Sequence, residues 1–195
     1  SLNAGSLWGR PFYILREAWN ILNAIAEGKI ESGDEKKLNA LKGETMAVIA
    51  LCQFDLTRCF GYPYTKDKGA SLGAPLIDHL VGTYENPPRS TVAQAYDFII
   101  ETLEEAVTLM SEEKNNGRMN KYAARALLAR IYLYHDDNRK AFDLADQLIK
   151  DADTSGSYAL YPHEKYVAAW SVEAKFGSES FFEIANSVDD TPGRD

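Results

Sequence analysis

The strongest pattern of apolar and polar positions lies in residues 120–150. Across Tyr122–Tyr134, only two arginines interrupt a run of apolar residues without Gly or Pro, which predicts a helix buried over most of its circumference. A polar turn at residues 135–138 precedes a second predicted helix with one apolar stripe. The stripe consists of Ala141, Leu144, Ala145, Leu148 and Ile149. Because the turn is short, the two helices are expected to pack antiparallel as a hairpin.

This predicted hairpin resembles a tetratricopeptide repeat. In that motif a Leu, a small residue and an aromatic residue in the first helix contact a small residue in the second. The matching residues are Leu128, Ala129, Tyr132 and Ala141. Arg125 and Asp153 depart from the motif, at the positions of its first aromatic residue and its closing Pro. The resemblance implies a helical packing unit and assigns no function.

Three more helices are predicted before the hairpin from their apolar stripes. The first spans Trp8–Glu27 and the second spans Lys37–Phe60, and a glycine follows each of them. The third begins at residues 89–91, where Thr91 and Gln94 have the spacing of a capping box. The chain is therefore predicted to be all-α, with at least five helices in tetratricopeptide-like hairpins and with the first helix of the hairpin the most buried.

The segment Gly61–Arg89 has a different pattern. Its glycines and prolines interrupt every possible helix, which predicts a long irregular loop between the second and third helices. Loops of this length are uncommon unless they are functional or are held by a partner. This loop is therefore the first region in which to look for a ligand site.

The C-terminal part of the chain is less regular. The pattern predicts a short helix at Glu164–Val172 and a short strand at Ser180–Ile184. Residues 189–195 contain no core-forming side chain and are expected to be a connecting tail. We expect one helical domain over residues 1–188, as a fragment of a longer chain.

Composition and charge narrow the class of protein. The 195 residues are 45% hydrophobic and 26% charged, which is typical of a globular domain. A net charge of −8 argues against a surface that follows nucleic-acid phosphates, since the field of the chain would repel a polyanion. No apolar run is long enough to span a bilayer. The N-terminus lacks the basic and then apolar pattern of a signal sequence.

The cysteine spacing does not favour a disulfide. Cys52 and Cys59 are seven residues apart in one predicted helix, which places them on the same face but about 10 Å apart along the axis. We expect two buried free thiols rather than a metal or redox pair.

The sequence contains no pattern that indicates catalysis. His79, His135 and His163 stand alone in predicted loops or turns, without the spacing of paired metal ligands, so surface positions are expected. Adjacent acids such as Glu104 and Glu105 diverge on a helix, whereas a glycosidase needs two converging carboxylates. No nucleophile-elbow, phosphate-loop or dinucleotide motif is found. We expect no enzyme activity, no cofactor and no metal.

Read together, four blocks of sequence resemble the SusD/RagB family of outer-membrane nutrient-binding lipoproteins of Bacteroidetes. The first consists of Trp8, Tyr13 and Asn20 in the opening helix. The second is KGETMAVIALCQFDLTRCFGYPY and the third is RSTVAQAYDFIIETLEEAV. The fourth is RMNKYAARALLARIYLY with KAFDLADQLI after it, and the chain closes on ESFFEI. The order of the blocks, and the long loop between the second and third, make the resemblance specific.

This resemblance implies a function that the residue patterns do not show. It implies a non-catalytic glycan- or nutrient-binding subunit at the outer membrane, which is attached by a lipid anchor absent from this sequence. It also implies a TonB-dependent, SusC-like transporter as partner and an oligosaccharide or another nutrient as ligand. The alternative is a soluble tetratricopeptide-type adaptor that binds protein segments in a helical groove.

Aromatic side chains are the plausible ligand contacts, because sugar rings stack on flat aromatic faces. Tyr62, Tyr64 and Tyr84 lie in the irregular loop and are the candidate ligand-binding residues. The alternative is that these tyrosines pack the loop against the helices. The tryptophans at positions 8, 19 and 170 fall in helical patterns, where core packing is expected.

Overall fold

The computed structural model describes residues 4–170 and 175–184. Five α-helices follow one another along this part of the chain: α1 (Ala4–Ala26), α2 (Glu35–Phe60), α3 (Val92–Leu109), α4 (Lys121–Tyr134) and α5 (Asn138–Ser155). Two short strands, β1 (Leu72–Pro75) and β2 (Arg89–Thr91), pair antiparallel between α2 and α3. Single 3₁₀ turns occur at Tyr64–Lys66, His163–Lys165 and Ala168–Trp170. The prediction of an all-α, tetratricopeptide-like fold is confirmed.

Polar side chains cap four of these helices at their N-termini. The capping residues are Asp34, Thr91, Asn120 and Asp137. At the start of α3, the backbone N–H of Gln94 donates to Thr91 Oγ1 at 3.1 Å, and the backbone N–H of Thr91 donates to Gln94 Oε1 at 2.9 Å. This confirms the predicted capping box. Each such cap stabilises its helix by about 1 kcal/mol.

The main core lies between α2, α3 and α4. Its fully buried residues include Ala47, Ala50, Ile99, Leu103, Ala106, Ala124 and Ile131. Small residues allow the close approach, since a Cβ added at Gly43 would lie 2.7 Å from Met110 Cγ and 2.9 Å from the Ala106 carbonyl oxygen. Eight of the 14 residues of α4 are buried, against 11 of 26 in α2, so the prediction that α4 is the most buried helix is confirmed.

The loop between α2 and α3 is more regular than predicted. Strands β1 and β2 pair here, so the prediction of a wholly irregular segment over Gly61–Arg89 is wrong at residues 72–75 and at Arg89. The third helix begins at Val92 instead of at residues 89–91. Arg89 ties the two strands together, because its Nε donates to the Gly73 carbonyl at 2.7 Å and its Nη2 to the Leu72 carbonyl at 2.8 Å. The sequence pattern did not reveal these strands, because each is short and pairs with a segment more than ten residues away.

The C-terminal predictions need correction. Residues 180–184 form no strand. Phe181 packs there instead against Tyr158 and Tyr122, with ring centroids 4.8 and 6.3 Å apart, which explains the aromatic pattern without a strand. The predicted helix at Glu164–Val172 is replaced by two 3₁₀ turns up to residue 170. Residues 171–172 and the predicted tail at 189–195 lie outside the described part of the chain.

The two cysteines have different environments. Cys52 is buried as predicted, and burial, helped by the nearby negative charge of Asp55, raises the pKa of its thiol to about 12. Cys59 is exposed, so the prediction of two buried thiols is wrong for this residue. The seven-residue spacing does place both on nearly the same helix face, but Cys59 lies in the last turn of α2, where its neighbour Arg58 is also exposed.

Candidate functional site

Of the three candidate tyrosines, Tyr64 is half-buried, and it packs against the C-terminal end of α4. Its ring centroid lies 4.2 Å from that of His135 and 5.7 Å from that of Tyr96. His135 is also half-buried, and its Nδ1 is fully buried without a hydrogen-bond partner among the described residues. The predicted surface position is therefore wrong for His135, although it is confirmed for His79 and His163.

The other two candidates, Tyr62 and Tyr84, are open to solvent. Tyr62 is 56% exposed and Tyr84 is 96% exposed. Lys66 Nζ lies 3.0 Å from the centroid of the Tyr62 ring, so a cation already covers one face of that ring. Tyr84 extends from the same loop, next to residues that line a groove.

We name this groove the aromatic groove. It has a volume of about 570 Å³ and lies between one face of α1 and loop residues 75–87. Trp8, Phe12 and Arg16 form the helix wall, because residues four apart project from the same side of an α-helix. The loop wall consists of Pro75, Ile77, Val81, Gly82, Thr83, Asn86 and Pro87. An apolar surface with a few polar groups at its edge is typical of a small-ligand site.

Trp8 presents the largest aromatic surface in the aromatic groove. Its indole packs edge-to-face on Phe12 and Phe60, with ring centroids 5.0 and 4.7 Å apart. The residue is nevertheless 39% exposed. The core-packing role predicted for Trp8 is therefore incomplete, because part of the ring faces the groove. The sequence does carry a signal for this second role of Trp8. Trp8, Phe12 and Arg16 are spaced four residues apart, so they lie along one side of α1.

Buried polar contacts hold the loop wall against the helices. Trp19 Nε1 donates to the Ile77 carbonyl oxygen at 3.1 Å. The side chain of Gln53, which is fully buried in α2, donates to the Pro75 carbonyl at 3.1 Å and accepts from the Ile77 amide at 3.3 Å. A buried amide that satisfies two backbone groups fixes the position of the loop, since losing it would leave those groups unpaired.

Three titratable side chains brace the outer part of this loop, and we name them the His79 cluster: Asp78, His79 and Glu85. His79 Nδ1 lies 2.6 Å from Asp78 Oδ1, and His79 Nε2 lies 2.7 Å from Glu85 Oε1. Hydrogen bonds to Asp78 and then Glu85 raise the pKa of His79. Glu85 Oε2 also accepts from the Gly82 amide at 3.0 Å, and this bond, with His79, lowers the pKa of Glu85. The cluster closes the turn that carries Gly82 and Thr83.

A second cavity, of about 580 Å³, lies between the N-terminus of α2 and the loop between α3 and α4. We name it the charged cleft, because its lining is rich in ionisable side chains. They are Asp34, Lys36, Lys37, Glu44, Glu113 and Arg118. Glu44 accepts hydrogen bonds from Arg118 Nε at 2.9 Å and from the Met119 amide at 3.0 Å. No aromatic side chain is among the lining residues in the described part of the chain.

Residues 4–170 and 175–184 contain neither a metal site nor a membrane-spanning helix. No group of three His, Cys, Asp or Glu side chains there is arranged to hold a metal ion. No helix in the described part is both long and apolar enough to cross a membrane. The aromatic groove is accordingly the candidate functional site.

Comparison with protein families gives one match. Residues 3–133 match the SusD-like family described as "Starch-binding associating with outer membrane". No curated protein sequence matches the chain. The matched residues include α1, α2, α3 and nearly all of α4, and with them both walls of the aromatic groove.

Solved structures support the family match. A SusD superfamily protein from Bacteroides thetaiotaomicron is 40% identical, with a TM-score of 0.85 over 91% of this chain and 38% of its own. A candidate sugar-binding protein from Bacteroides vulgatus is 38% identical, with a TM-score of 0.88 over 96% of this chain and 42% of its own. A surface glycan-binding protein from Bacteroides uniformis, 20% identical with a TM-score of 0.75, covers 92% of this chain and 38% of its own, and shows the same fold.

These structures are much longer than the chain, which spans about two fifths of each. The two Bacteroides structures with the higher identities nevertheless match 91% and 96% of this chain. From the family match over two thirds of its residues and this shared architecture, we conclude that the chain belongs to the SusD-like family.

Proposed function

We propose that this chain belongs to a non-catalytic glycan-binding subunit at the cell surface, and that the aromatic groove contacts the glycan. The observation that carries the proposal is the partly exposed indole of Trp8, held edge-on by Phe12 and Phe60 opposite a braced loop. A sugar ring stacks on such a face through its C–H groups, while nearby polar side chains such as Thr83 accept or donate to its hydroxyls.

The description of the family supports a location at the cell surface. A family described as starch-binding and associated with the outer membrane suits a subunit that holds oligosaccharides at the surface. We propose that the subunit is attached by a lipid anchor and delivers its ligand to a TonB-dependent, SusC-like transporter. Pull-down of that transporter from solubilised outer membranes would test the partnership, and its absence from the captured material would contradict it.

Two of the sequence-predicted tyrosines extend this proposal. Tyr62 and Tyr84 are exposed aromatic surfaces in the loop, and we propose that they contact longer glycans beyond the groove. Tyr64 is packed against His135 and Tyr96, and its proposed role is to hold the loop against α4.

Trp8→Ala is the direct test of the groove. Isothermal titration calorimetry with a panel of oligosaccharides should show that it weakens binding about tenfold or more, which corresponds to about 1.4 kcal/mol. The matched control is Phe142→Ala, which removes an exposed aromatic side chain from α5, outside the groove.

The control should bind as the parent does. Thermal melting separates lost binding from lost folding, because Trp8 also packs against Phe12 and Phe60. A folded Trp8→Ala variant with unchanged glycan affinity would contradict the role of the groove. Binding of peptides without binding of any glycan would favour the adaptor alternative.

A further inference from the structure

The aromatic groove carries a positive charge on its helix wall. Among the ten lining residues in the described chain, Arg16 is the only one with a formal charge, and the others are apolar or uncharged polar residues. Glu85 follows the lining residue Thr83 closely, but both of its carboxylate oxygens are bonded, one to His79 and one to the Gly82 amide. No carboxylate of this lining therefore competes for Arg16.

In the described part of the chain, the carboxylate bonded to Arg16 is that of its neighbour in the sequence, Glu17. Arg16 Nε and Nη2 both donate to the same oxygen of Glu17, Oε1, at 3.1 and 2.9 Å. These side chains are 59% and 47% exposed, and an exposed pair of this kind contributes only about 0–1 kcal/mol. Glu17 occupies the Nε–Nη2 edge of the guanidinium, so the Nη1–Nη2 edge is available to a second anion.

The guanidinium also packs over an aromatic ring. Its central carbon lies 5.1 Å from the centroid of the Tyr13 ring, and a cation at this distance is attracted to the ring face. A planar, oriented guanidinium binds a carboxylate with two parallel hydrogen bonds, which are charge-assisted and stronger than neutral ones.

The spacing along α1 places this cation within reach of a glycan on Trp8. Each residue of a helix rises about 1.5 Å, so Trp8, Phe12 and Arg16 are separated by about 6 Å per step. Trp8 and Arg16 are therefore about 12 Å apart along the axis, so a sugar ring that stacks on Trp8 would bring a substituent of a ring further along the glycan close to Arg16. The two contacts lie on the same wall of the groove.

We propose that the aromatic groove selects an acidic glycan, whose carboxylate or sulfate group pairs with Arg16 while another sugar ring of the same glycan stacks on Trp8. This inference rests on the proposed glycan-binding function. The net charge of the chain is −8, so its overall field repels an anionic ligand. A preference for acidic glycans must then come from a local contact. If Arg16 makes that contact, removing its charge should remove the preference.

The experiment is calorimetry with three oligosaccharides of equal length: an oligogalacturonate, a sulfated galactan fragment and a neutral galactan fragment. The parent chain should bind at least one acidic ligand about tenfold more tightly than the neutral one. Comparison of the carboxylated and sulfated ligands shows which anion fits. Raising NaCl from 50 to 500 mM should reduce the preference, because the Arg16 contact is close to solvent.

Arg16→Gln should remove the preference for the acidic ligand without a change in the melting temperature, and Arg16→Lys should keep part of the preference. The matched control is Arg10→Gln, which removes the same charge from the opposite side of α1. This control should keep the full preference.

The outcomes separate the two proposals. Equal affinity for the neutral and acidic ligands would overturn the acidic selectivity and leave glycan binding intact. A preference for acidic ligands that Arg16→Gln and Arg10→Gln reduce equally would overturn the role of Arg16. Binding of none of the three ligands, nor of any other glycan, would overturn the proposed function itself.

Discussion

The aromatic groove and the charged cleft have nearly equal volumes, about 570 and 580 Å³, but different chemistry. In the charged cleft, Glu44 accepts hydrogen bonds from Arg118 and the Met119 amide, so these groups bond to the protein itself. In the aromatic groove, Trp8 turns part of its ring to solvent and the loop wall is held from behind by Gln53. The availability of side chains, and not cavity volume, therefore distinguishes a binding surface from a structural cleft.

The largest expected effect concerns the support behind the aromatic groove. Gln53→Ala would leave the Ile77 amide and the Pro75 carbonyl without their partner in a buried position and would open a small cavity. We expect a loss of about 2–3 kcal/mol in the free energy of unfolding, measured with urea, and weaker glycan binding in the same variant. Unchanged stability would show that the loop wall does not depend on Gln53.

The second prediction sharpens the contrast with the charged cleft. Glu44→Ala removes the acceptor for Arg118 and the Met119 amide, and the Glu44 side chain is only 18% exposed. We expect a loss of about 1–2 kcal/mol in the free energy of unfolding, with glycan affinity unchanged.

A matched control for Glu44 is Glu112→Ala, which breaks an exposed ion pair with Lys121. The control should cost less than about 1 kcal/mol, since exposed pairs contribute little. If Glu44→Ala weakened glycan binding as much as Trp8→Ala, the charged cleft would have to be regarded as a ligand site too.

The third prediction concerns the pH dependence of the groove loop. The pKa of His79 in the folded chain is raised above its ordinary value of 6.5, so both ring nitrogens donate below that pH. One of the two bonds is lost as pH rises through the raised pKa, because a neutral imidazole keeps a single N–H. At low pH the bond to Glu85 is lost as this carboxylate becomes protonated below its ordinary value of 4.5. Between these limits the His79 cluster should hold the turn closed.

Hydrogen exchange of the Gly82 amide measures this effect, because that amide donates to Glu85. At pH 6, His79→Gln should exchange several times faster than the parent at this amide, and at pH 9 the two should converge. Comparison at the same pH removes the intrinsic pH dependence of exchange. Equal rates at pH 6 would show that His79 does not brace the turn.

The smallest expected effect is at Tyr84. Its side chain is almost fully exposed, so Tyr84→Ala should leave the melting temperature unchanged. We expect a loss of affinity of about threefold or less for long oligosaccharides and none for short ones. Calorimetry with a length series tests this, and an equal loss for short and long ligands would place Tyr84 inside the groove contact instead of beyond it.

Local sequence determined most of the helical architecture. The apolar stripes located α2 and α4 to within a few residues, and the Thr91–Gln94 spacing identified the start of α3. The order of the sequence blocks was sufficient to indicate the SusD-like family, which the match over residues 3–133 confirms. These features depend on side chains within a few turns of one another, and periodicity and capping report such contacts directly.

Only the tertiary structure decided the binding surface. Trp19 meets Ile77 across 58 positions of the sequence, and Gln53 reaches the same loop from another helix, so both walls of the aromatic groove come from separate segments. The same is true of the pairing between β1 and β2. A stripe shows that Trp8 lies on a helix face, but whether that face meets the core or a groove depends on which distant segment packs against it, and no local pattern encodes that choice.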